Sequence, residues 1–181
     1  MKTALILIDI QNDYFPGGKM ELVGMVNAAT VARAVLDQFG KAASPIFHIQ
    51  HISTRPTATF FLPNTIGAEI HESVKPLEGE QVIVKHYPNS FRETELHDLL
   101  KQQNIEQLVI CGAMSHMCID TTTRAAFDLG YKSIVISDAC ATKELLYNDL
   151  KVPAEHVHAA YMAGLNGMFA TVSNFDDVVL T

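Results

Sequence analysis

The sequence predicts a doubly wound α/β protein built on a parallel sheet. Three observations carry that expectation. Apolar runs of strand length recur along the chain, longer segments with helical periodicity separate them, and residues able to do chemistry gather just after the runs. Residues 4–9 open the series: Ala-Leu-Ile-Leu-Ile ending on Asp9 is a continuous apolar run of the kind buried on both faces. Residues 21–39 carry Leu22, Val26, Ala29, Ala32, Leu36 and Phe39 at spacings of three and four, which gives a helix with one buried face. Residues 45–52 make a second strand. Residues 53–76, punctuated by Pro56, Pro63, Gly67 and Pro76, read as a long surface excursion with one helical turn, and long loops of this kind often cover sites.

Residues 81–85 form the third strand. Ser90 and Glu93 stand at capping-box spacing, so a helix is expected from Ser90 to about Gln103. Residues 107–112 are the fourth strand, 118–129 a helix stopped by Gly130, and 132–137 the fifth strand. Pro153 suits the first turn of a helix reaching Leu165, and residues 169–173 give a sixth strand. The strands and at least four helices alternate with no linker between them, which assigns the whole chain, 1–181, to one domain.

Composition narrows the function classes. With 20 acidic residues against 13 Lys and Arg the formal charge is −7, and no basic cluster offsets it, so a nucleic-acid surface is not expected. No apolar stretch approaches the roughly 18 residues of a membrane span. The apolar run at the N-terminus is interrupted by Asp9, Gln11, Asn12 and Asp13 without a small-residue cleavage site, so it reads as a strand and the expected compartment is the cytoplasm. Cys111, Cys118 and Cys140 cannot all pair, and none has zinc-site spacing.

In open parallel sheets ligands bind beyond the carboxyl ends of the strands. Asp9, His51, Lys85, Cys118 and Asp138 follow or end the first five strands in turn. Asp9, Lys85 and Cys118 form a chemical set: a cysteine at a helix start beside an ammonium gains stabilisation of its thiolate, and a carboxylate can take the thiol proton as general base. The plain alternatives are a small buried cysteine, a turn aspartate and a surface lysine. Cys111, inside Leu108-Val-Ile-Cys-Gly112, reads as a core residue, and Cys140 as a bystander in a loop after Asp138.

Four stretches resemble the isochorismatase-like cysteine hydrolases, a superfamily that includes nicotinamidases and N-carbamoylsarcosine amidases. They are Leu7-Ile-Asp9-Ile-Gln-Asn-Asp-Tyr-Phe-Pro-Gly-Gly18, Val84-Lys85 with Ser90-Phe91 and Thr94-Glu-Leu96, Gly112-Ala-Met-Ser-His-Met-Cys118, and Ser137-Asp-Ala139. They stand in family order over nearly the whole chain. The resemblance implies a three-layer α/β/α fold whose six-stranded parallel sheet has the order 3-2-1-4-5-6, with Asp9 and Cys118 ending adjacent strands. Lys85 would then reach across one strand to join them. It also implies a cis peptide between Ala113 and Met114, an oxyanion hole from the Met114 and Cys118 amides, and homodimers or larger homo-oligomers.

The resemblance is to cysteine amidases acting on a small-molecule amide or carbamoyl-type C–N bond through a thioester. Nicotinamidases of the superfamily hold a divalent metal through an Asp and histidines after the second strand. Here His51, Ser53 and Phe60 occupy those positions, so no metal and no other cofactor is expected. Phe15, His51, Phe60 and His116 are the candidate substrate contacts. His48 is read as buried within its strand, and His156 and His158 as surface or interface groups on the last helix. Two other functions compete: vinyl-ether hydrolysis of the isochorismate type, which needs no sulfur, and a thiol redox or ligand-binding protein without hydrolysis.

Overall fold

The computed structural model describes residues 1–178. Its strands are β1 (Thr3–Ile8), β2 (Ile46–His51), β3 (Gln81–Lys85), β4 (Gln107–Ala113), β5 (Lys132–Ala141), β6 (Leu145–Tyr147), β7 (Leu150–Val152) and β8 (Thr171–Ser173). Helices α1 (Met25–Lys41), α2 (Leu96–Gln102), α3 (Asp120–Asp128) and α4 (Ala154–Leu165) connect them. The main sheet runs β3-β2-β1-β4-β5-β8 and is parallel throughout. This is the expected order; the sixth strand of the sheet is β8 because a small antiparallel hairpin, β6–β7, intervenes in the chain.

Alternation along β1 shows why the central strand is continuously apolar. Leu5 and Leu7 face a core shared with Ala28, Ala32, Val35 and Leu36 of α1. Ala4, Ile6 and Ile8 face the opposite core, shared with Leu100 of α2, Ala126 of α3, and Met162 and Leu165 of α4. Helices cover both faces of the sheet, so successive side chains are all buried.

The strand order reverses between β1 and β4, and the backbone there is specialised. Gly112 pairs with Ile8 at φ +126°, and a Cβ at this position would lie 2.0 Å from the Ile8 carbonyl oxygen. Only glycine permits that approach. The Ala113–Met114 peptide that follows is cis.

Several local expectations change. The first helix starts at Met25 rather than residue 21, after Gly24 at φ +76°. Ser90 does not cap a helix: its amide donates to the Thr122 hydroxyl and its own hydroxyl pairs with the same oxygen at 2.9 Å, so it ties this loop to α3. Glu93 stands at φ +55°, outside helical geometry, and α2 begins only at Leu96. The excursion after β2 holds two short 3-10 turns, Ile66–Ala68 and Glu72–Val74, instead of one. β5 continues four residues beyond Ser137, and Cys140 therefore lies within a strand, not a loop.

Candidate active site

Four consecutive strand ends supply the reactive groups. Asp9 leaves β1 at φ +53°, a left-handed conformation that Asp tolerates better than most residues, and its amide still donates to the Ile49 carbonyl at 3.0 Å. His51 ends β2 and pairs in register with Lys85, which ends β3. Cys118 lies in a wide π-type turn, Ser115–Ile119, that runs from β4 into α3.

The Lys85 side chain crosses β2 to reach the switch point. Its Nζ donates to Asp9 Oδ2 at 2.8 Å, to Cys118 Sγ at 3.1 Å and to the Tyr87 carbonyl at 3.1 Å, and it stands 3.2 Å from His51 Nδ1. Asp9 and Lys85 are fully buried and Cys118 nearly so. Asp9 Oδ2 is committed to Lys85, whereas Oδ1 is buried with no hydrogen-bond partner among the described residues. That free oxygen is an available proton acceptor.

Burial opposes both charges, yet their attraction wins. Lys85 and His51 hold the Asp9 carboxyl below its usual range, and the Asp9 charge above all holds the Lys85 ammonium above its own. Cys118 behaves differently from the sequence expectation of a thiolate favoured by lysine. Burial and the Asp9 charge push its thiol up, and Lys85 only partly opposes them. Burial is the larger reason, and Lys85 cannot offset it because its charge is already matched by Asp9. The resting site is a carboxylate, an ammonium and a neutral thiol.

Above Cys118 lies a cavity of about 250 Å³ lined by Tyr14, His51, Ser53, Thr54, Arg55, Phe60, His86, Tyr87, Pro88, Met114, Met117 and Cys118. The expected contacts His51 and Phe60 line it; Phe15 and His116 do not. Phe15 stacks on His71 at 3.5 Å within the core, and its neighbour Tyr14 takes the wall position. His116 binds the Thr142 hydroxyl at 2.6 Å, because residues two apart on a helical turn point to different sides and Cys118 faces the cavity. Tyr14, Arg55, Tyr87 and Met117 are contacts the sequence reading missed. Adjacency to Phe15 and Cys118 hinted at Tyr14 and Met117; nothing in the sequence marked Arg55 or Tyr87.

Two buried side chains fix the walls. Gln11 accepts the His51 amide proton at 2.7 Å and donates to the His51 carbonyl at 2.9 Å and the Ala68 carbonyl at 2.7 Å. Asp13 accepts from the Phe61 and Lys19 amides, and Gly67 packs so closely on this carboxylate that a Cβ would lie 2.2 Å from it. The long excursion is thereby clamped to the loop after β1. A larger hollow, about 380 Å³ beside Gln107, Lys132 and Phe169, carries no cysteine, histidine or carboxylate.

The oxygen, nitrogen and sulfur of Asp9, His51 and Cys118 lie within 4.8 Å of one another, the one such metal-type set among the described residues. It does not suit a cation, because the Lys85 ammonium already touches all three. Of the three positions where the resemblance would put metal ligands, His51 offers a nitrogen but faces the Lys85 ammonium at 3.2 Å, Ser53 offers only a hydroxyl and Phe60 no ligand atom. His48 is buried in β2 and bound to Glu80 at 2.7 Å, and His158 is not a free surface group but reaches Ser115 Oγ at 2.9 Å. No helix among the described residues is long and apolar enough to cross a membrane.

Comparison with known proteins agrees with this fold. The profile of the isochorismatase domain matches residues 3–177. An uncharacterised isochorismatase family protein of Bacillus subtilis, YddQ, is 56% identical over 172 residues, 95% of this chain and 96% of that protein. The crystal structure of an isochorismatase-type hydrolase candidate from Oleispira antarctica is 49% identical and superposes with a TM-score of 0.93, covering 97% of this chain and 95% of that one. The ureidoacrylate amidohydrolase RutB of Acinetobacter baylyi is 27% identical over 213 aligned positions, 99% of this chain and 83% of that enzyme.

Proposed function

Given that the chain belongs to the isochorismatase family of hydrolases, we propose that it is a cysteine hydrolase that cleaves a small amide or carbamoyl-type C–N bond through a thioester. The observation that carries this reading is the bridging ammonium: Lys85 holds the Asp9 carboxylate at 2.8 Å and the Cys118 sulfur at 3.1 Å on one buried floor, beneath a cavity. A relative whose name states an amidohydrolase activity supports the bond type.

The steps follow from the resting charges. As the substrate carbonyl approaches, Asp9 Oδ1 takes the Cys118 proton and the sulfur attacks the carbonyl carbon, so the thiolate forms only in concert with bond making. Lys85, released from part of its pairing as Asp9 becomes neutral, then stabilises the charge that develops. The Met114 and Cys118 amides are the proposed donors to the oxyanion. Asp9 returns the proton to the departing nitrogen, the C–N bond breaks, and ammonia or an amine leaves. Water, deprotonated by Asp9, attacks the thioester carbonyl; the acid departs and the thiol regains its proton from Asp9.

The competing readings use the site less fully. Vinyl-ether hydrolysis leaves Cys118 without a task. Redox-sensing cysteines are exposed and acidic, whereas Cys118 is buried and its thiol is pushed up. Three unpaired thiols suit a reducing compartment, and we read the protein as cytoplasmic and self-associating, a state that sedimentation analysis checks. Ammonia release from a panel of small amides, with mass spectrometry of the intact protein, tests the chemistry. Wild type should turn over at least one amide and carry an acyl adduct on Cys118, and Cys118→Ala should do neither while keeping its melting temperature. Turnover by Cys118→Ala at the wild-type rate would overturn the mechanism.

A further inference from the structure

The charges around the cavity name a feature of its substrate. The twelve lining residues include no carboxylate. Asp9, beneath the floor, is matched by Lys85, and the Cys118 thiol and the Tyr14 phenol are both held in their neutral forms by burial. Arg92, stacked 3.6 Å over the Tyr87 ring behind the wall, has Glu93 at 3.6 Å. Arg55 is the lining guanidinium, and it makes no ion pair among the described residues.

The backbone of Arg55 is also held in a defined place, and its exposed side chain extends from there. Ser53 donates to the Phe61 carbonyl at 2.8 Å, closing the segment between them, and the Ala58 amide donates to the Arg55 carbonyl at 3.0 Å. The Phe61 amide is in turn fixed by Asp13. A short anchored turn therefore presents Arg55 at the mouth, on the same excursion whose Ser53 and Phe60 form the wall.

From this we infer that the substrate is a small amide bearing a carboxylate, with its reacting carbonyl at Cys118 and its carboxylate on Arg55. A guanidinium is a planar fork that matches a carboxylate with two parallel hydrogen bonds. One cation balances a monoanion, and a phosphate dianion would need a second. The size agrees: about 250 Å³ lies below the usual range for drug-sized ligands, so the occupant is a short chain. Tyr87, Phe60, Met114 and Met117 would flank its carbon skeleton. The net charge of −7 does not oppose this, because charges farther than about 8 Å are screened at physiological salt and Arg55 dominates at the mouth. The inference rests on Cys118 as the end of the cavity where reaction occurs.

The test uses chain-matched pairs. Ammonia release is compared between the amide acids malonamate, succinamate and glutaramate and the neutral amides propionamide, butyramide and valeramide. In parallel, calorimetry measures binding of 4-oxopentanoate and 2-pentanone, ketones that present a carbonyl with no leaving group. Wild type should prefer the carboxylate member of at least one amide pair, and 4-oxopentanoate over 2-pentanone, by about tenfold or more. Arg55→Ala should bring these ratios close to one, and Arg55→Lys should restore part of the preference.

Ratios near one in wild type, or ratios that survive Arg55→Ala, would overturn the inference while turnover of neutral amides leaves the hydrolase reading standing. Arg55-dependent binding of 4-oxopentanoate with no amide turned over would overturn the hydrolase reading, and with it the amide part of the inference, while leaving the carboxylate site standing. Failure of 4-oxopentanoate to bind would count against the carboxylate site whatever the turnover.

Discussion

Cys118 and Cys140 are similarly hidden, at 4% and 7% exposure, and both thiols are pushed up, Cys140 to about 12. Burial is the largest cause in each case. Around Cys140 the other influences are a hydrogen bond from the Gly112 backbone and the charge of Asp138. Around Cys118 they are an ammonium at 3.1 Å and the carboxylate that the ammonium holds. The difference teaches that, on the proposed mechanism, a resting thiolate is not what sets Cys118 apart from Cys140. What distinguishes Cys118 is a proton acceptor within reach, paired with a cation that can turn toward the sulfur once the acceptor is neutralised.

Removing the cation should have the largest effect. Lys85→Met leaves the Asp9 carboxylate buried without its counter-ion, and breaking a buried pair by deleting one partner costs about 3–5 kcal/mol. Urea denaturation should show that loss, and amide hydrolysis should fall at least about a thousandfold, a barrier increase of roughly 4 kcal/mol. The double variant Lys85→Met with Asp9→Leu removes both charges and should regain most of the stability without activity. Equal instability of the single and double variants would mean that the pair is not what holds the floor together.

Removing the acceptor instead should make Cys118 less like Cys140. In Asp9→Asn the ammonium remains beside the sulfur with no carboxylate opposing it, so the thiol should acidify and alkylate about tenfold faster at neutral pH even as hydrolysis is lost. Cys140, with no lysine among the causes of its shift, is the internal reference and should alkylate at its wild-type rate. Peptide mapping after iodoacetamide treatment reads both sites in one sample. Slower alkylation of Cys118 would show that Asp9 favours the thiolate rather than opposing it.

Much of this contrast was legible in the sequence. Apolar runs long enough to be buried on both faces gave the strands, and the strand order followed from the resemblance. Asp9, Lys85 and Cys118 were marked by their positions at strand ends, where the sheet topology converges them. The unreadable parts depend on tertiary partners. Ser90 matches a capping box locally, yet Thr122, 32 residues away, claims its hydroxyl. Tyr14 and Phe15 are adjacent aromatics, and which of them faces the cavity is decided by the backbone turn at Asn12–Tyr14. The neutral state of Cys118 was hidden for a related reason: proximity of Lys85 could be anticipated, but its 2.8 Å bond to Asp9, which cancels most of its effect, is a distance and not a pattern.

The smallest expected effect is the one that pH has on the pair. Asp9 is depressed below its ordinary value of 3.8, so its contribution to stability is fully present above that value and is lost only as pH falls through the lower folded value. Lys85 is raised above 10.5, so its contribution is fully present below that value and is lost as pH rises through the higher folded one. Between these limits neither member changes charge, and Cys118 stays neutral. Steady-state hydrolysis by the double variant His51→Gln with His86→Gln, which removes both imidazoles lining the cavity, should therefore vary less than about twofold from about pH 5 to about pH 9. A limb near neutrality in that variant would mean that Asp9 or Cys118 titrates there. The resting carboxylate, ammonium and thiol would then no longer describe the site, and the contrast with Cys140 would have to rest on a thiolate after all.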